Sequence, residues 1–301
     1  MKINRPTLIG LVAPLLWATS LPFIKQCSSD IGAFYLPAIQ YLASGCLGFA
    51  YFVVTSRRPC EGWKRPRFPH RLILFTSYFV LLYPAIFLVQ KANFPGVLLL
   101  NYLWPTFTLL FTLALVRQPV QPTRLVCGTV LVMIGMVLEI FPNQVLAAGA
   151  ADSSVEVVPY VMAFGAAVSW GLYSALNRKW GDSAGGVQGI PVLMFSAGML
   201  LLALAAWTEE FPTFSTETAA PLMYLCVMPF LANVAWDIGT RHGNLPVLSL
   251  VCDFIPWISL TLTALYLEVP LGIATILSAG LIVIGAVVSR LALVPVRTDK
   301  G

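Results

Sequence analysis

The sequence predicts an all-α polytopic membrane protein, with ten transmembrane helices arranged as two inverted five-helix repeats around a central cavity and both termini in the cytoplasm. Three observations predict it. Apolar residues make up 58% of the 301 and charged residues only 10%, against roughly 45–50% and 25% in soluble domains, so the chain cannot cover itself with polar surface. Apolar runs long enough to cross about 30 Å of hydrocarbon, at about 1.5 Å per residue, recur along it. Short turn motifs of the first half return 151 residues later in the second.

The spans fall at 7–27, 34–56, 72–91, 96–116, 122–141, 158–179, 189–209, 219–240, 246–267 and 271–293. Pro and Gly, 22 of each, are scattered without any long polar tract. Spanning helices tolerate them because neighbouring helices re-satisfy the freed backbone groups. The alternation of a membrane β-barrel is absent. The six cysteines show neither metal nor disulfide spacing and read as small apolar core residues, so no metal is expected. Lys2 and Arg5 before the first apolar run imitate a secretory leader, but no small-residue cleavage site follows, and the run is expected to stay as helix 1.

Assigning basic residues to alternate faces collects sixteen of the 18 on the side of the termini, including the Arg57–Arg71 run, and leaves Lys25 and Lys91 opposite. The positive-inside rule then puts both termini in the cytoplasm and requires an even number of spans. The net charge of +5 thus reflects topology, which removes the case for a nucleic-acid partner. A multi-pass protein of a bacterial-type inner (plasma) membrane is expected, with the lipid bilayer as its partner. Glu139, Asp152 and Glu156 fall on the outer side, and Asp237 and Asp253 are the acids expected inside spans.

Asn93-Phe94-Pro95 recurs as Asn244-Leu245-Pro246, Pro105 as Pro256 and Pro119 as Pro270, all at the same displacement. Leu131–Gly135 resembles Leu281–Gly285, and Trp17 and Lys25 find counterparts in Trp170 and Arg178. The units are residues 1–141 and 158–301, joined by a periplasmic linker over 142–157. Because five is odd, the second unit enters the membrane from the other side, placing a pseudo-two-fold axis in the membrane plane. Inward-open and outward-open packings then have similar energy, the basis of alternating access.

An Asn-x-Pro opening the fourth helix of each half, the Glu268-Val269-Pro270 turn and a Gly-containing fifth helix resemble the EamA-type repeat over the whole chain. The resemblance implies the drug/metabolite transporter superfamily, and the aromatic helices are most similar to YddG-type amino acid exporters within it. The first-half turn departs from the pattern, reading Arg117-Gln118-Pro119 where a glutamate is usual.

Trp17 and Trp170, near mid-helix and related by the repeat, are expected to face each other across the axis. Tryptophan normally favours the membrane interface, so two at mid-depth point to a polar cavity, against the alternative of helix packing. Trp170, Tyr173, Ser174 and Asn177 form one semi-polar stripe at i, i+3, i+4 and i+7, which should not face lipid. Asn101, Trp104 and Thr108 repeat the arrangement beside Pro105, which frees a carbonyl in the preceding turn. The alternative for Asn101 is an interhelical hydrogen bond. Tyr78 and Tyr83 add hydroxyls on aromatic faces. Asp253 is a candidate for a coupling proton; Asp237 is a candidate too, with an i,i+4 ion pair to Arg241 as its plainer reading. Lys25 and Lys91 either snorkel from helix ends or gate a departing carboxylate.

A Trp and Tyr wall stacks an apolar or aromatic side chain while amides and backbone groups hold the polar end. Amino acids, aromatic and other neutral ones with broad specificity, fit best. The alternative is a carrier of cationic drugs, which should depend on a midplane carboxylate, or of nucleotide sugars, which needs a basic cavity. An enzyme is not expected. No G-x-S-x-G, H-E-x-x-H or phosphate loop occurs, and His70 and His242 lie at helix ends. No cofactor or ATPase subunit is expected either, which leaves solute or ion gradients to drive transport.

Overall fold

The computed structural model describes residues 4–55, 64–90, 93–116, 120–148, 157–180, 187–243 and 245–292. Every regular element among them is helical: α1 (Arg5–Ile31), α2 (Tyr35–Val54), α3 (Phe68–Leu88), α4 (Phe94–Asn101), α5 (Trp104–Val116), α6 (Pro122–Ala148), α7 (Val157–Trp180), α8 (Ile190–Thr208, after a 3-10 turn at Val187–Gly189), α9 (Thr216–His242), α10 (Leu245–Leu267) and α11 (Ile273–Arg290). Nine spans among the described residues are long and apolar enough to cross a membrane, α4 and α5 counting together as one; α10 adds a shorter apolar stretch, Phe254–Leu267.

Local chemistry sets the ends. Asn4 and Ser215 cap α1 and α9 by accepting from the N–H groups of Thr7 and Thr218. Glu217 in the first turn of α9 and Arg241 and His242 in its last complement the helix dipole. The start of α2 has no local cap. Instead the Glu209 carboxylate, at the end of α8, accepts from the N–H groups of Ala33, Phe34 and Tyr35 at 2.7–3.0 Å. Gly32 is required there, since its φ is +98° and a Cβ would meet the same carboxylate at 2.7 Å.

The helices pack most intimately as α6 with α11, α1 with α9, α2 with α8, and α7 with both α3 and α5. Lipid gives no hydrophobic drive for helix association, so close van der Waals approach at small residues must supply it. A Cβ on Gly10 would lie 2.7 Å from the Gly239 Cα, and one on Gly45 would lie 2.8 Å from the Phe195 nitrogen. At the α6–α11 seam Gly128 sits directly on Ser289 and Gly285, and the Ser278 hydroxyl donates to the Gly135 carbonyl at 2.9 Å.

Five features differ from the sequence expectation. The helix expected over 96–116 is broken after Asn101: Tyr102 still donates to Leu98, but Leu103 turns back to Leu100, and Pro105 has no N–H to offer the Asn101 carbonyl. Pro256 leaves α10 unbroken. α6 runs on through Ala148 into the segment expected to be linker. Arg71, expected at the end of a cytoplasmic loop, lies within α3 and is only 2% exposed. Glu139, assigned to the outer side, is buried within α6 and accepts from the Thr275 hydroxyl at 3.2 Å, so Asp237 and Asp253 are not the only acids inside helices.

Replacing Gly128 with valine should force α6 and α11 apart and lower stability by about 1–3 kcal/mol, the usual range for overpacking. Gly272→Ala, where a Cβ meets nothing within 4 Å, should leave it unchanged. Thermal melting in detergent reads both.

Candidate binding cavity

Residues from α1, α2, α3, α4, α5, α7, α9 and α10 line one cavity. Trp17 is at the centre of an indole cluster, 5.7 Å between centroids from Trp170, 6.0 Å from Trp104 and 5.3 Å from Trp236. The contacts to Trp170 and Trp104 are nearly perpendicular, at 87° and 89°, placing the positive edge of one ring on the negative face of the other. Tyr78 lies 4.8 Å from Trp170 and continues the wall on α3.

Neutral groups supply the polar lining. The Tyr83 hydroxyl donates to Gln40 Oε1, Ser20 donates to the Trp17 carbonyl at 2.8 Å, and Asn233 Nδ2 donates to the Pro229 carbonyl at 2.9 Å. The Asn101 side chain lies beside the Tyr78 hydroxyl, and its Oδ1, fully buried, has no hydrogen-bond partner among the described residues. No carboxylate, ammonium or guanidinium group lines the cavity among the described residues.

Arg71 lies beyond the indoles, at the end of the bundle where α1 begins and α9 ends. Its Nε and Nη2 donate to the Tyr173 hydroxyl at 3.4 and 3.3 Å, its guanidinium lies over that ring, and Nη2 is 3.7 Å from Asp237 Oδ1. Asp237 is paired in turn with Arg241 one turn along α9. The network ties α3, α7 and α9 together.

Of the residues expected at a site, Trp17, Tyr78, Tyr83, Asn101, Trp104 and Trp170 line the cavity. Thr108, Tyr173, Ser174 and Asn177 do not. The Thr108 hydroxyl donates back to the Trp104 carbonyl at 2.8 Å, and Tyr173 is engaged by Arg71. Ser174 is buried and Asn177 half-buried, farther along α7. A stripe seven residues long runs about 10 Å along its helix, and only its Trp170 end reaches the cavity. The Lys25 Nζ donates to the Ile86 and Val89 carbonyls at 2.8 and 2.5 Å and caps the end of α3. Lys91 and the Asp253 side chain lie outside the described residues.

Sequence reasoning missed Gln40, Asn233, Trp236 and the inward role of Arg71. A signal for two of them was present. Asn233, Trp236, Asp237 and Thr240 repeat on α9 the spacing that singled out Trp170 to Asn177 on α7.

A helical membrane protein with an aromatic cavity lined by eight of its helices has the makings of a transporter. The chain belongs to the EamA-like transporter family, whose pattern matches residues 5–141 and again residues 158–291. It is 30% identical to the aromatic amino acid exporter YddG of Salmonella typhimurium, across 97% of this chain and 99% of that one. It is 29% identical to the protein of the same name from Escherichia coli, across 90% and 92%. A crystal structure of a protein 23% identical to this chain superposes with a TM-score of 0.73 over 96% of this chain and 99% of its own, which shows a shared fold. The protein is therefore a multi-pass membrane transporter.

Asp237→Asn should destabilise the protein by about 3 kcal/mol, because it removes the anion between two largely buried arginines. Tyr173→Phe removes only a hydroxyl acceptor and should lose about 1–2 kcal/mol. Melting temperatures of the purified variants check the ranking.

Proposed function

We propose that the protein exports amino acids, aromatic and other neutral ones with broad specificity, from the cytoplasm across the inner membrane by alternating access. The observation that carries the reading is the uncharged aromatic cavity in which Trp17 and Trp170 meet edge to face. A nucleotide-sugar carrier calls for basic groups and a carrier of multivalent cations for a carboxylate, and neither is found among the described lining residues. The names of the relatives from Salmonella and Escherichia coli agree with the reading.

We place this chemistry in ten spans forming two inverted repeats, residues 1–141 and 158–301, with residues 142–157 as the outer connection and both termini in the cytoplasm. The double family match supports the duplication. So does the packing: exchanging halves turns α1 with α9 into α7 with α3, and α1 with α10 into α7 with α5, while α2–α8 and α6–α11 map onto themselves. With that orientation the cavity, lined by Ser20, Leu21 and Ile24 beyond Trp17 and by Gln40 near the start of α2, faces outward. The Arg71 network seals the cytoplasmic end. The cycle then opens that seal and closes the outer walls around the solute, Asp253 being the candidate for any coupled proton.

Flux of labelled phenylalanine, methionine, a quaternary ammonium ion and a nucleotide sugar into liposomes carrying the protein tests this, with and without a pH gradient. Phenylalanine and methionine should move, and Trp17→Ala and Trp170→Ala should each lower that flux at least tenfold. A facilitator is insensitive to the gradient. A proton-coupled carrier follows it and loses that dependence in Asp253→Asn. Flux of only the quaternary ion or the sugar contradicts the substrate assignment, and wild-type flux in both tryptophan variants contradicts the site.

A further inference from the structure

The break between α4 and α5 falls at the cavity wall. α4 ends at Asn101, so the negative end of its dipole points at the break, and Pro105 leaves the Asn101 carbonyl without its usual donor. The side chain of the same residue is 2% exposed, and its Oδ1 is unpartnered among the described residues. A buried amide oxygen left unpaired is unfavourable by about 1–3 kcal/mol, and a ligand that donates to it recovers that energy. The Tyr78 hydroxyl oxygen, which accepts from the Asn101 amide N–H, keeps a second lone pair as a further acceptor. Trp17, Trp104 and Trp170 present aromatic surface around the same cavity, and indole faces attract cations.

We infer that the Asn101 break is an ammonium seat, and that the amine, not the carboxylate, is the recognised polar end of the ligand. The assignment rests on the reading of the cavity as an amino acid site and narrows it. A primary ammonium has three donors for three acceptors: Asn101 Oδ1, the Asn101 carbonyl and the Tyr78 oxygen. A carboxylate at the same wall finds neutral amide and indole N–H groups and no cation. The site therefore takes primary arylalkyl amines, which lack the carboxylate altogether, as an additional ligand class. It rejects arylalkyl acids that lack the amine.

The test is competition against labelled phenylalanine on the reconstituted full chain, with 2-phenylethylamine, 3-phenylpropionate and N-acetylphenylalanine as probes. Direct binding of each is followed by tryptophan fluorescence of the protein in detergent. Phenylethylamine should bind within about threefold of phenylalanine, and the two compounds without a free amine at least tenfold more weakly. Asn101→Leu should weaken both amine ligands tenfold or more, and Asn101→Asp should tighten phenylethylamine, which separates loss of the seat from loss of fold. Phenylpropionate binding as well as phenylethylamine, or Asn101→Leu leaving amine affinity unchanged, overturns the seat while phenylalanine flux leaves the transport reading intact. Phenylethylamine binding with no phenylalanine binding overturns the amino acid reading and keeps the seat. Binding of neither overturns both.

Discussion

Trp17, packed edge-on against Trp104, Trp170 and Trp236, is the contact on which the rest of the structure turns. It joins α1, α5, α7 and α9 at one point. Rings that meet edge to face cannot interdigitate as aliphatic side chains do, so the helices are held apart and space remains beside them. Each such pair adds about 0.5–1.5 kcal/mol beyond its buried area, enough to hold the floor of a cavity yet small enough to be rearranged. The glycine seams do the opposite work. Gly10 on Gly239 and Gly128 on Gly285 bring backbones together at positions that do not line the cavity.

Polarity is divided in the same way. Formal charge is kept out of the described cavity wall and concentrated at the helix ends that surround it. Glu209 caps α2, Lys25 caps α3, and Arg71, Asp237 and Arg241 lie beyond the indoles. A buried ion pair is worth little as net stability but is destabilising to break singly, which suits a contact that must open as a unit. The cavity itself keeps dipoles, which hold a zwitterion or an amine without fixing it as tightly as an opposite charge.

Much of this was legible in the sequence. Apart from the end of α6 and the break between α4 and α5, apolar runs and turn motifs located the helices to within a few residues, because composition alone separates lipid-spanning segments from their connections. The pairing of Trp17 with Trp170 was legible as well, since mid-depth tryptophan is unusual and the two occupy similar places in the first helix of each half. What escaped depended on neighbours. Arg71 counts as a loop charge until α3 is seen to begin at Phe68 and carry it against Tyr173. Pro105 and Pro256 are equivalent in sequence, yet only the first accompanies a break, a difference set by packing. The α7 stripe looked uniform, but its Tyr173 is already engaged by Arg71 of α3.

The central claim is that the space beside Trp17 is a solute site open to the face opposite the termini and closed toward them. Ser20, one turn past Trp17 and on the cavity wall, reports on it as Ser20→Cys in a chain whose six natural cysteines are replaced. The measurement is its rate of reaction with a membrane-impermeant maleimide, in vesicles of each orientation, with and without phenylalanine. Reaction from the face opposite the termini, slowed several-fold by phenylalanine, is the predicted result. Reaction only from the face of the termini, or a rate indifferent to phenylalanine, contradicts the account.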